Sequence, residues 1–152
     1  MKDSPKSKIA PCLWFDGKAE EAARFYVSLL PDSRIDAVLP FGVEFTLAGA
    51  GYISLNGGPH YQFTPAISLF VSCADQAEVD RLWDALCDGG SPQRCGWVTD
   101  RYGVSWQIVP AALGRMMKDR DPERVRRATE AMLGMIKLDI HALETAYRGA
   151  AA

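Results

Sequence analysis

Ala22-Ala23-Arg24-Phe25-Tyr26-Val27-Ser28-Leu29 and Val79-Asp80-Arg81-Leu82-Trp83-Asp84-Ala85-Leu86 decide the fold, because they are one pattern met twice. Ala22, Phe25, Tyr26 and Leu29 stand at i, i+3, i+4 and i+7, and Val79, Leu82, Trp83 and Leu86 repeat that spacing. Each set draws an apolar stripe along one face of a helix. In both, an apolar residue at i+3 is followed by an aromatic one at i+4.

The neighbourhoods repeat as well. An apolar stretch of strand length precedes each helix, Ile9 to Phe15 and Ala66 to Cys73; Pro31 stops the first helix and Gly89-Gly90 the second. Three short strands are expected after the first helix, Arg34 to Leu39, Gly42 to Leu47 and Gly51 to Leu55. After the second they are Pro92 to Cys95, Gly96 to Thr99 and Val104 to Val109, with Asp100-Arg101-Tyr102-Gly103 as a turn. The order is βαβββ twice, over modules at about 8–56 and 65–110, joined by Asn56-Gly57-Gly58-Pro59-His60-Tyr61-Gln62-Phe63. Residues 111–152 form a different segment. There Asp121-Pro122 starts a helix ending at Gly134, and Asp139 starts another ending at Gly149. Four of the five methionines, Met116, Met117, Met132 and Met135, fall in this tail, which reads as adaptable packing against the domain or a partner subunit.

Composition bounds the function. The chain has 152 residues, 48% of them hydrophobic and 24% charged, with a net charge of −2. It lacks the strong field that attracts nucleic acid or a membrane surface. No apolar run reaches the roughly 18 residues of a spanning helix, and no signal peptide is legible in the polar N-terminus. Cys12, Cys73, Cys87 and Cys95 match no zinc-finger, C-x-x-C or disulfide-framework spacing, so a reduced, cytoplasmic location is expected.

Several segments together resemble the PhnB-like branch of the vicinal oxygen chelate superfamily, the group of glyoxalase I, bleomycin-resistance proteins and extradiol dioxygenases. They are Cys12-Leu13-Trp14-Phe15-Asp16-Gly17-Lys18-Ala19-Glu20-Glu21-Ala22 with Phe25-Tyr26, Leu55-Asn56-Gly57-Gly58-Pro59, Cys95-Gly96-Trp97, and Asp100 through Pro110. In the tail, Ala131-Met132 and Lys137-Leu138-Asp139-Ile140 look similar too. The resemblance implies an α+β glyoxalase/bleomycin-resistance fold: two βαβββ modules forming a curved, antiparallel-leaning mixed sheet, with C-terminal helices, a ligand cleft and a homodimeric state. The branch often carries a demethylubiquinone methyltransferase-like label.

Metal-dependent members of the superfamily place His or Glu at four inward strand positions, because carboxylate and imidazole offset the hydration a divalent ion loses. Here the last of these, four residues after Gly103, is the neutral amide Gln107. The first falls at Ala10 to Cys12, the start of the fifth strand offers Pro65, Ala66 and Ile67, and the fourth strand offers Ser54 and Asn56. No catalytic metal and no cofactor are expected. Zinc held by Cys12, His60 and Cys95 has no ligand spacing in its favour. The methyltransferase label finds little support either, since the first strand-to-helix turn, Phe15-Asp16-Gly17-Lys18, carries a single glycine.

Period-two alternation gives candidate ligand contacts. Ser105 and Gln107 share one face of the last strand, and Trp106 and Ile108 the other. Aligning Ser54 and Asn56 with Ser105 and Gln107 puts all four polar residues in the cleft, with Ile53 and Leu55 toward the helix. The competing reading is four solvated polar positions. Trp14 is a candidate cleft wall or a core residue, and Trp97 a pocket wall or interface residue. His60, in the linker, is the one histidine placed for acid–base work; His141 lies in the tail. Cys95, beside Arg94, is a candidate nucleophile or a structural thiol. The arginines of the tail alternate with acids and read as a solvated helix face. The function expected is binding of a small, partly apolar organic molecule. The alternative is an enzyme, either a methyltransferase or a lyase or isomerase using His60 or Cys95.

Overall fold

A computed structural model describes residues 7–149 of the chain. They form the doubled βαβββ order, followed by three helices, in two compact units that divide between Phe63 and Thr64.

The first unit holds β1 (Cys12–Phe15), α1 (Ala19–Val27), β2 (Arg34–Leu39), β3 (Gly42–Leu47) and β4 (Ala50–Asn56). Its mixed sheet has the order β1-β4-β3-β2, with β1 parallel to β4 and the rest antiparallel. Leu13 and Phe15, on one face of β1, are buried together with Ala22, Ala23 and Tyr26 of α1. Phe45 bridges the layers, lying against Tyr26 on the helix and stacked on Tyr52 of the next strand.

The second unit repeats this with β5 (Ser68–Cys73), α2 (Gln76–Cys87), β6 (Ser91–Pro92), β7 (Trp97–Thr99) and β8 (Ser105–Pro110). The strand order is β5-β8-β7-β6, again with one parallel pair. Asp75 caps α2 by accepting the Glu78 backbone N–H at 2.9 Å, and the expected stripe of Val79, Leu82, Trp83 and Leu86 is buried. The same unit contains the tail: α3 (Ala111–Met117), α4 (Pro122–Leu133) and α5 (Ile140–Arg148). Asp121 and Asp139 cap α4 and α5 as expected, Gly134 and Gly149 close them, and Leu113, Met116, Ala128, Leu138 and Leu143 form a core with Val109 of β8.

The sequence reading misses α3. Its seven residues follow β8 without a break, and its N-cap, Pro110, has no side-chain hydrogen bond to announce it. The expected strands at Pro92–Cys95 and Gly96–Thr99 are shorter than expected because Arg94-Cys95-Gly96-Trp97 is a turn.

Candidate functional site

The register of the two sheets corrects half of the expected site. In the first unit Ser54 pairs with Leu13 and Asn56 with Phe15, so both polar residues share the helix-facing side. Ser54 is completely buried and donates its hydroxyl to the Ala19 carbonyl at 3.0 Å, while Asn56 Oδ1 accepts the Ala19 N–H at 2.9 Å. Helix α1 has no side-chain cap of its own, and β4 supplies one. In the second unit the helix-facing pairs are Leu69 with Trp106 and Val71 with Ile108. Ser54 therefore shares the facing of Trp106 and Ile108, and not that of Ser105. A slip of one residue moves every side chain of a strand to the opposite face. Ser54 and Asn56 are helix contacts, and Ile53 and Leu55 lie on the far face.

The last strand has the alternation expected of it. Trp106 and Ile108 are buried toward α2, and the carboxylate of buried Asp100 accepts the Trp106 indole N–H at 2.8 Å. Gln107 lies on the other face, half-buried, donating to the Ser68 hydroxyl at 3.0 Å. Two rows cross this face in register. One carries hydroxyls: Ser68, Ser105 and Thr99. The next carries Phe70, Gln107 and Trp97. With strands about 4.8 Å apart, an amide stands between two aromatic side chains with alcohols alongside. Phe70 is 60% exposed, which is unusual for a phenylalanine in a strand. Ser68, Thr99 and Phe70 escape the sequence reading; a correct strand register was the missing signal.

The remaining candidates fall elsewhere. Trp14 is half-buried on the far face of β1, donating its indole N–H to the Gly58 carbonyl at 2.9 Å and meeting Tyr61 edge-on at 4.9 Å. The linker thus folds over it, and a side chain at Gly57 would collide with the indole. His60 is exposed in that linker. Cys95 occupies a tight turn at φ 60°, a left-handed conformation uncommon for a side-chain-bearing residue, followed by Gly96 at φ 82°. Its backbone N–H donates to the Met135 carbonyl at 2.8 Å. These features give Cys95 a structural task. Burial, reinforced by Glu78, pushes the Cys73 thiol up to about 12.

The face around Gln107 presents neutral oxygen and nitrogen donors, which bind divalent ions weakly without carboxylate or imidazole help. Among the described residues no group of three or more His, Cys, Asp or Glu could hold a metal ion. The donor set does not fit the metal centre of the superfamily's metal-dependent members.

A family model described as 3-demethylubiquinone-9 3-methyltransferase matches residues 7–109. A solved structure from Bacillus cereus, described as a putative 3-demethylubiquinone-9 3-methyltransferase, PhnB protein, is 34% identical. It has a TM-score of 0.63, and the match covers 69% of this chain and all of that one. The chain belongs to this PhnB-like family. It is thereby a member of the vicinal oxygen chelate superfamily, with an α+β fold of two mixed sheets and C-terminal helices. The protein PA1353 from Pseudomonas aeruginosa shares the fold at 23% identity and TM-score 0.55, over 70% of this chain and 98% of that one. A glyoxalase/bleomycin resistance protein from Albidiferax ferrireducens T118 also matches, at 15% identity and TM-score 0.47, over 66% and 96%. No curated protein matches the chain. The family match ends at Val109, so the tail, whose residues the sequence reading counted in the resemblance, lies outside it. No helix among the described residues is long and apolar enough to cross a membrane.

Proposed function

We propose that this PhnB-like protein binds a small, uncharged, partly apolar organic molecule on the β5-β8-β7 face, without a catalytic metal. One observation carries the reading: Gln107 stands in register between Phe70 and Trp97, with its amide already oriented by Ser68. An amide offers both a donor and an acceptor, the aromatic side chains offer apolar surface, and the hydroxyls of Ser68 and Thr99 extend the polar edge. This combination favours a neutral, flat ligand over an anion. We place the protein in a reducing cytoplasm, where its four free thiols are stable, and as a homodimer, the state its superfamily resemblance implies.

Thermal unfolding tests the reading. A fraction of host small molecules containing the ligand should raise the midpoint, since saturation at 100 times Kd adds about 2.7 kcal/mol. Gln107→Leu should abolish the rise. An equal rise in Gln107→Leu would contradict the site.

The methyltransferase name of the family supports a second reading, methyl transfer. The strand-to-helix turns of this chain, Asp16-Gly17-Lys18 and Ala74-Asp75, are not the Gly-rich loops that admit a dinucleotide or S-adenosylmethionine in doubly wound folds. A midpoint unchanged by saturating S-adenosylmethionine would dismiss this reading, and a clear rise would favour it.

A further inference from the structure

The tail packs against Val109 of β8, and near Gln107 it also holds the turn Arg94-Cys95-Gly96-Trp97. That turn is closed by the Trp97 N–H donating to the Arg94 carbonyl at 3.1 Å, with both central residues at positive φ. Turns of this kind favour Asn-Gly or Gly-Gly, so Cys95 is held against its preference. Two successive carbonyls of the tail supply the restraint: Met135 accepts from Cys95 N–H and Ile136 from Gly96 N–H, each at 2.8 Å. Leu138, fully buried, closes the other side of Gly96, where an added Cβ would lie 2.9 Å from its side chain.

The tail is itself pinned to α2. The Gln76 side-chain amide donates to the Leu138 carbonyl at 3.1 Å and accepts the Ile140 N–H at 2.8 Å, so one side chain reads two backbone groups of the strap. Lys137 adds an ion pair with Asp80 at 2.9 Å. The last residue of the restrained turn is Trp97, the register partner of Gln107. These tail residues lie outside the span matched by the family model.

We propose that the tail is a positioning strap for the Trp97 wall of the ligand face, with Gln76 and Leu138 as its anchors. The positional part is independent of any ligand; its consequence for binding rests on the function proposed above. The strap fixes the backbone from which Trp97 projects, so ligand affinity depends on residues that never touch the ligand.

The test uses the full chain labelled with 5-fluorotryptophan, whose fluorine resonances report Trp14, Trp83, Trp97 and Trp106, with Trp97→Phe identifying the key signal. Gln76→Leu, which removes both bonds to the strap together with the one to Asp80, should shift or broaden the Trp97 resonance and leave those of Trp14 and Trp106 in place. Leu138→Ala should do the same if it folds, and Gln76→Leu decides alone if it does not. An unmoved Trp97 resonance overturns the strap, and so does a Trp106 resonance that moves equally, since that signals general loosening. Benzamide, a neutral flat amide, serves as the binding probe. Its dissociation constant, read from the Trp97 resonance, should rise at least about threefold in Gln76→Leu. An unchanged constant with a displaced Trp97 overturns the coupling to binding. Failure of benzamide to perturb Trp97 in the unmodified protein contradicts the ligand face instead, and the ligand-free comparison still decides the strap.

Discussion

Asp100 and Trp106 are joined by a hydrogen bond inside the β7–β8 hairpin: the buried carboxylate accepts the indole N–H at 2.8 Å. The same carboxylate accepts the backbone N–H groups of Tyr102 at 2.8 Å and Val104 at 3.1 Å. One side chain thus closes the turn and orients the largest fully buried side chain of the second unit. Because Trp106 and Gln107 are adjacent, fixing the indole toward α2 also fixes the amide on the opposite face.

Asp100→Ala should be strongly destabilising. It strands three donors, two of them buried, and a single unsatisfied buried group costs about 1–3 kcal/mol. Chemical denaturation should show a loss of about 3 kcal/mol or more. A change below about 1 kcal/mol would show that water replaces the carboxylate and that the network is dispensable.

Ser54→Ala and Asn56→Ala should each cost about 1 kcal/mol of stability, for a lost hydrogen bond and a lost helix cap. Neither should alter binding of a ligand to the second sheet. A binding defect without a stability defect in either variant would restore them to the ligand site.

Thiol chemistry should separate the cysteines. Cys12 is exposed, whereas Cys73 is buried with its pKa raised to about 12 by burial and Glu78. Alkylation at pH 8 followed by peptide mass spectrometry should modify Cys12 at least about a hundredfold faster than Cys73 in the folded protein, because the thiolate is the reacting form. Comparable rates would mean that the second core opens readily.

The tail should loosen in acid. The Tyr147 hydroxyl, donating to Asp119, holds that carboxyl below its usual 3.8, and Gln76 and Lys137 do the same for Asp80. A lowered folded-state pKa gives stability that is present above the ordinary carboxylate range and lost as pH falls through the folded value. Near-ultraviolet circular dichroism should therefore show the tail's tyrosine environment changing below about pH 4, with Asp119→Asn changed already at neutral pH. An Asp119→Asn spectrum identical to the parent at neutral pH would remove the bond from the account.

Much of this fold is written in local chemistry. Asp121 and Asp139 announce their helices because a carboxylate at the N-cap satisfies orphan N–H groups. The doubled stripe of Tyr26 and Trp83 announces the repeat. Helix α3 is silent, since Pro110 caps nothing with its side chain and Ala111-Ala112-Leu113 continues an apolar strand. The site was half legible. Gln107 declares its face through the bulk of Trp106 and Ile108 beside it. Ser54 and Asn56 read as cleft residues, yet they are the missing cap of α1, a partnership made across residues far apart in sequence. Cys95 reads as either a nucleophile or a structural thiol, and the turn that holds its backbone depends on two carbonyls far along the chain.

The most direct test is native mass spectrometry of the protein purified from its own host, with elemental analysis of the same sample. A retained organic molecule that disappears in Gln107→Leu, with no stoichiometric zinc, nickel, iron or manganese, is the predicted result. One equivalent of any of these metals per chain, retained in the parent and lost with Gln107→Leu, would contradict a neutral, metal-free ligand face.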